Sequence, residues 1–378
     1  MIKKTKHYSF STGKIAEGCK QCVKGRKSVL FATGLCPRKC FYCPISDKKK
    51  DKDVVFINEL QINPLHLDKL LEEIKTNQST GVGITGGDPL SRLARTKGFI
   101  KVLKDQFGNS FHVHLYTSFD LVTENTLKQL FNAGLDEIRF HPNLEDSSNW
   151  KNIDNATKFK WKIGIEVPVF PDKEKELLNM IYSFKDKVNF FNFNELEMSD
   201  LNMEVMKEKY ESDSDNSYAI KGSKKLGLKL MDFCDKHQLN AHFCTLKLKD
   251  KVQLAKRIKL RSKKAKLNTD KVTIEGLLVR GVIYSGMIPG VKYEDKLLDA
   301  SKSFVNEELS ELRKLKAKIV KLYNISKKKI KIDDSKLRLL TSQRIAKKLA
   351  KLIPEQCAIV TEYPTADQLA IEIEFIKP

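Results

Sequence analysis

The sequence predicts an α/β protein, a run of parallel βα units followed by a separate, small α+β domain. Two observations carry that expectation. Between residues 28 and 245, short apolar runs of strand character alternate with segments whose apolar residues recur at helical spacing, the alternation from which parallel sheets are built. From about residue 269 the pattern changes to paired strands, a long charged helix and a closing hairpin. A length of 378 residues suits two or so domains. Hydrophobic residues at 41% beside charged residues at 31% exclude a mostly disordered or collagen-like chain. No apolar run approaches the ~20 residues of a bilayer span, and the opening MIKKTKHYSFSTGK lacks a signal-peptide core. The expectation is a soluble, cytoplasmic protein.

In chain order, residues 1–27 read as a metal-knuckle segment and 28–245 as the βα body. Residues 246–268 read as a basic linker helix and 269–378 as the basic α+β domain. The body's first strand is SVLFAT at 28–33. The segment LDKLLEEIKT at 67–76 places its leucines and isoleucine on one helical face, and a strand at 81–85 follows. A helix over 95–106 leads to the alternating strand HVHLYT at 112–117. Thr123 is a cap-like start for a helix that Gly134 ends. Strands are expected at 136–141, 164–169 and 188–193, and a late one ends near 244. Beyond the body, paired strands over 272–283 precede a helix over 302–323, a strand at 329–332 and a helix at 342–352. A hairpin of 358–362 with 370–375 closes the chain. The lysine-rich run 48–53 reads as a solvated loop, and Trp150 and Trp161 as packing residues.

Eight cysteines are present, and five of them lie between Cys19 and Cys43. Without secretory context, ligation of a metal or cluster is a better reading than disulfides. Cys36, Cys40 and Cys43 form Cys-x3-Cys-x2-Cys on one short loop, with Tyr42 before the last. Three thiolates so spaced hold three irons of a cubane and leave the fourth iron open. A zinc knuckle usually shows Cys-x2-Cys pairs and a fourth ligand nearby instead. Further on, Val82-Gly83-Ile84-Thr85-Gly86-Gly87-Asp88-Pro89 reads as a strand running into a glycine turn.

On these residues the sequence resembles the radical SAM superfamily, over roughly residues 28–245. Gly18-Cys19-Lys20-Gln21-Cys22, Gly34-Leu35-Cys36 and Cys40-Phe41-Tyr42-Cys43-Pro44 are similar, more narrowly, to a largely archaeal set of proteins related to pyruvate formate-lyase activating enzymes. The resemblance turns the βα units into a partial (β/α)6 barrel with its site at the strands' C-terminal ends. It implies a catalytic 4Fe-4S cluster on Cys36, Cys40 and Cys43, and S-adenosylmethionine as cosubstrate, cleaved reductively to a 5′-deoxyadenosyl radical. It further implies that the backbone at Gly86 and Gly87 meets the methionyl end and that Tyr42 packs against adenine. Asp88 stands where the family more often has Glu and is counted with Gly86 and Gly87 among the expected cofactor contacts. Ser118, Arg139 and Glu166 are the candidates, by position at strand ends, for holding the ribose and the methionine carboxylate. Tyr116, His141, Asn192, Asn194, Glu195 and Glu197 would line the same cavity.

Cys19 and Cys22 form half of a second metal site. His242 and Cys244, two apart on a strand and therefore pointing the same way, complete it in the expected arrangement, with zinc or an auxiliary iron–sulfur cluster inside. Cys234 and Cys357 read as core thiols.

The net charge of +21 is concentrated. Residues 246–266 carry ten Lys/Arg against one acid, and residues 301–351 carry sixteen against five, so the remaining 306 residues are nearly neutral. Within 246–266, Leu248, Val252, Ala255 and Leu260 read as one apolar stripe. Such basic stretches suit a polyanion, and the sequence-level expectation is an RNA substrate, most plausibly tRNA, with a reductase or ferredoxin-type electron donor. The alternatives are a protein- or peptide-directed activase of the glycyl-radical-activator type and a small-molecule cofactor-biosynthesis enzyme.

Overall fold

The structure is a computed structural model and describes residues 1–199, 201–213 and 218–377. It divides into two compact units, Met1–Arg257 and Ile258–Pro378. The first opens with strands β1 (Lys3–Lys4) and β2 (Phe10–Thr12), helix α1 (Glu17–Cys22), strand β3 (Lys27–Phe31) and the hairpin β4 (Val55–Ile57) and β5 (Leu60–Ile62). Helices and strands then alternate: α2 (Asp68–Thr76), β6 (Gly81–Thr85), α3 (Leu93–Phe107), β7 (His112–Thr117), α4 (Glu124–Asn132), β8 (Glu137–Phe140), α5 (Ile153–Ala156) and β9 (Lys162–Val169). The unit continues through α6 (Glu174–Phe184), β10 (Phe190–Glu195), α7 (Met203–Lys209), α8 (Ser223–Lys236) and β11 (Ala241–Cys244).

The strands form one sheet in the order β1-β2-β11-β10-β9-β8-β7-β6-β3-β4-β5. From β3 through β6, β7, β8, β9, β10 and β11 every pair is parallel, the topology of a partial barrel. Antiparallel strands that the sequence reading did not foresee extend both ends: β2 on β11 and β4 on β3.

Period-2 geometry sorts each strand into two faces. Val113 and Leu115 of β7, Ile138 and Phe140 of β8, and Ile163 and Ile165 of β9 join Leu70, Phe99, Leu127 and Met180 of the helices in one large apolar core. The opposite parity faces inward and is polar: His112, His114 and Tyr116 on β7, Glu137 and Arg139 on β8, Glu166 on β9, Asn192 and Asn194 on β10, His242 and Cys244 on β11. Register places them side by side, His114 with Glu137, Tyr116 with Arg139, Glu166 with Asn192, and Asn192 with His242.

One loop expectation changes. The segment around Cys19 and Cys22 is a helical turn, α1, not an open knuckle. The run 48–53 is largely solvated, as expected, with Lys48, Lys50, Asp51, Lys52 and Asp53 exposed; Lys49 lies half-buried over Phe31 and Phe56, and the Asp53 carboxylate accepts from Thr33, Arg92 and Arg95. An acid facing two guanidiniums and a hydroxyl is better satisfied there than in water.

The basic linker is one helical run, α9 (Leu246–Leu248), a π-helical turn (Lys249–Leu254) and α10 (Ala255–Ala265), started by the Thr245 side chain accepting from Leu248 N–H. Leu248 and Val252 are buried as expected, whereas Ala255 and Leu260 are half-buried and Ile258 is covered instead. The wider π turn advances the helix by an extra residue and shifts the stripe.

The second unit pairs β12 (Lys271–Val272) with β13 (Leu278–Tyr284), followed by α11 (Tyr293–Leu298), α12 (Lys302–Leu322), β14 (Lys331–Asp333), β15 (Arg338–Thr341), α13 (Gln343–Leu349), β16 (Gln356–Glu362) and β17 (Ala370–Phe375). All its strand pairs are antiparallel. Helix α12 buries Leu312, Leu315 and Ile319 on one face and leaves its lysines on the other. Glu362, fully buried, accepts from Arg280 and Arg338.

Candidate active site

At the C-terminal ends of the parallel strands lies a cavity of ≈ 480 Å³. Cys36, Cys40 and Cys43 line it together with Tyr42, Gly86, Gly87, Ser118, Arg139 and Glu166. Five strands therefore deliver to one place residues that are up to 130 positions apart in the chain.

The cysteine loop is fixed at both ends by its neighbours. Gly34 N–H donates to Lys52 C=O, and Asp88 N–H donates to Leu35 C=O. Arg38 pairs with Asp120 at 2.6 Å and donates to His141 C=O at 2.8 Å. Tyr42 is anchored by its hydroxyl, 2.8 Å from His141 Nε2, and by an edge contact with Phe170. All three cysteines are free thiols. Burial pushes the Cys36 thiol up to about 11, so loading a metal there releases a proton.

The glycine turn is a close-approach site. A Cβ on Gly87 would lie 2.4 Å from Leu35 C=O and 2.6 Å from Gly34 C=O, and one on Gly86 would lie 2.3 Å from Thr33 C=O. These neighbours are backbone and cannot rotate away, so glycine is needed for the turn to sit beneath the cysteine loop.

Asp88 does not line the cavity. Its carboxylate is buried and accepts from Leu90 N–H, Thr117 Oγ1, Ser118 N–H and Ser118 Oγ. Four donors hold it behind the wall, where it ties the glycine turn to the end of β7, and it has no free edge for a ligand. That arrangement moves Asp88 from the expected ligand contacts to the supporting structure.

Arg139 is 1% exposed and bridges two carboxylates, Glu137 at 2.5 Å and Glu166 at 2.7 Å. Burial opposes the Glu166 charge, but Arg139 and Lys27 outweigh it and lower its pKa. Asn194 donates to the other Glu166 oxygen at 3.1 Å. Lys27 also lines the cavity, its ammonium 3.4 Å from the Tyr116 hydroxyl. Sequence reasoning passed over Lys27, although its place at the head of the first strand, in line with the inward residues, was a usable signal. Glu195 and Glu197 reach the rim, where Glu195 accepts from Leu246 N–H and Glu197 pairs with Lys249.

The expected second site is assembled only loosely. Cys19 Sγ donates to Asn192 Oδ1, which also bonds His242 Nδ1 at 2.8 Å. Burial raises the Cys244 pKa, Lys249 opposes, and Cys19 and Cys22 lie near enough to add to the rise. Cys19, Cys22, His242 and Cys244 do not, however, reach the spacing of ligands on a single ion. Among the described residues that spacing, all ligand atoms within 4.8 Å, is met by His112, His114 and Glu137. The short helix α1 turns Cys19 toward Asn192 and Arg139.

The Radical SAM superfamily profile matches residues 30–166. A protein of Methanocaldococcus jannaschii, provisionally named a glycyl-radical enzyme activating enzyme, is 39% identical over 289 residues, covering 74% of this chain and 76% of that protein. Among solved structures, SuiB of Streptococcus suis bound to S-adenosylmethionine is similar with a TM-score of 0.42 and 14% identity, over 58% of this chain and half of that one. Methylornithine synthase gives a TM-score of 0.39 and 13% identity, over 58% of this chain and 68% of its own. Both are remote. The near relative, matched along three quarters of either sequence, places the chain in the radical SAM superfamily, as an enzyme that uses a 4Fe-4S cluster and S-adenosylmethionine.

Proposed function

We propose that the protein activates a partner protein by taking a hydrogen atom from it, in the manner of a glycyl-radical activator. The observation carrying this reading is the 39% identical relative named for that activity. In this reading Cys36, Cys40 and Cys43 hold the cluster, and the residues suit it: three free thiols face one cavity beside a glycine turn that a single Cβ would obstruct. A cluster held there would supply the one-electron reduction of S-adenosylmethionine that cleaves its C5′–S bond to methionine and a 5′-deoxyadenosyl fragment able to accept a hydrogen atom from the partner. Gly86 and Gly87 present backbone to the methionyl end, Tyr42 meets adenine, and Ser118, Arg139 and Glu166 orient the ribose and carboxylate. The polypeptide approaches through the rim formed by Glu195, Glu197 and Lys249. A reductase or ferredoxin-type donor supplies the electron.

A second reading, RNA as substrate, is favoured by the +9 and +11 charge of residues 246–266 and 301–351. Lys/Arg contacts to phosphate would make binding fall steeply with salt.

The deciding experiment measures 5′-deoxyadenosine formation by anaerobically reconstituted, reduced protein with a soluble protein fraction of the source organism or with its bulk tRNA. Stimulation by protein, with a carbon-centred radical appearing in that fraction by electron paramagnetic resonance, is the expected result. Stimulation by tRNA alone would replace the first reading with the second.

A smaller change tests the glycine turn. Gly87→Ala forces the Leu35 and Gly34 carbonyls apart, and S-adenosylmethionine affinity is expected to fall at least tenfold, about 1.4 kcal/mol, in equilibrium dialysis, with iron content retained.

A further inference from the structure

Below the cavity, at the strands' N-terminal side, three inward residues converge without a common partner. We propose that His112, His114 and Glu137 bind one divalent transition-metal ion of the zinc class in the floor of the barrel. The reading does not rest on the proposed substrate.

The ligand atoms of the three side chains all lie within 4.8 Å of one another, with His112 Nε2 3.8 Å from Glu137 Oε2. All three residues are buried. His112 Nε2 and His114 Nδ1 are themselves buried and make no hydrogen bond among the described residues. An imidazole nitrogen withdrawn from water normally finds a partner, and here their neighbours are each other, the Glu137 carboxylate and the Arg139 guanidinium, which borders His114 Nδ1 beneath Gly18. Two imidazoles and one carboxylate make a common zinc donor set.

The surroundings prepare the atoms for that task. Glu137 Oε1 is held by Arg139 at 2.6 Å, which leaves Oε2 aimed at the histidines. His114 Nε2 lies 3.3 Å from the Tyr116 hydroxyl, so a hydrogen on Nε2 has an acceptor and the Nδ1 lone pair is free, the outer hydrogen bond usual for a ligating histidine. Glu137, Asp136 and Glu17 put negative charge beside His112, while Arg139 and, at His114, Lys27 put positive charge there. Helix α1 roofs the place at Gly18, where a Cβ would lie 2.6 Å from the His114 ring.

The test uses the full-length protein with its cluster reconstituted, dialysed against zinc and analysed for metals. One zinc per chain beyond the cluster iron is expected. His112→Gln with His114→Gln should abolish it while iron stays unchanged, and Cys19→Ser with Cys22→Ser should leave it in place. No stoichiometric zinc in the wild type would overturn the proposal, as would zinc that follows the cysteines instead of the histidines. Should the histidine variant not fold, zinc-edge X-ray absorption on the wild type decides: nitrogen and oxygen donors alone support the site, and sulfur in the coordination shell sinks it.

Discussion

Cys36→Ala is expected to abolish 5′-deoxyadenosine formation, and Cys40→Ala or Cys43→Ala to do the same. A cubane held by three protein thiolates has no spare ligand, so losing one removes the cluster and with it the only source of the electron. The three cysteines are part-exposed and contribute little to the core, so the unfolding free energy should move by no more than about 0.5 kcal/mol. Iron content, activity and stability measured together separate this from misfolding. Cys234→Ala is the control: its thiol is fully buried in the α8 core, so it should lower stability and leave iron in place. Iron retained at full stoichiometry in Cys36→Ala would remove these cysteines from the cluster.

Arg139→Met is expected to cost about 3–5 kcal/mol of stability, the usual cost of leaving buried charge without its partner. The arginine is 1% exposed and stands between Glu137 and Glu166, so its loss strands two carboxylates. The pH dependence has a definite sign. In the wild type the Glu166 pKa is lowered, so its contribution is present above the unfolded-state value and is lost as pH falls through the folded value. In the variant the burial of Glu166 is opposed only by Lys27 and Asn194, so its carboxylate protonates more readily. The gap between the two proteins should therefore be widest at neutral pH and narrow toward about pH 4, near the ordinary glutamate value. Urea titrations at both pH values check it. A pH-independent gap would mean that lost packing, not stranded charge, sets the cost.

Much of this molecule was legible in its sequence because local rules govern those parts. The Cys36, Cys40 and Cys43 spacing is a loop property, and strands such as His112–Thr117 follow from alternation. The Thr123 start of α4 was also readable, and the hydroxyl accepts from Thr126 N–H. What escaped was non-local. Strand β2 pairs with β11 more than 220 residues away, and nothing in FST announces that partner. The hairpin β4–β5 turns at Asn58, whose φ of 53° is a conformation asparagine tolerates, but three-residue strands give too little alternation to read. Helix α1 is six residues long, too short for periodicity. The role of Asp88 depended on Thr117 and Ser118 arriving from another strand. The histidines of β7 were visible as an alternating pair, but only the neighbouring Glu137 gives that pair a meaning.

The inward face of the barrel, with Arg139, Lys27, Glu137, Glu166 and the histidines where aliphatic layers are usual, has a thermal consequence. Unfolding this unit hydrates polar as well as apolar surface, and polar hydration lowers the heat-capacity increment that apolar hydration raises. A smaller increment broadens the curve of stability against temperature. The desolvation that these ions suffer inside the barrel also eases on heating. A barrel filled in this way loses less of its stability on warming than an aliphatic one of equal stability at room temperature.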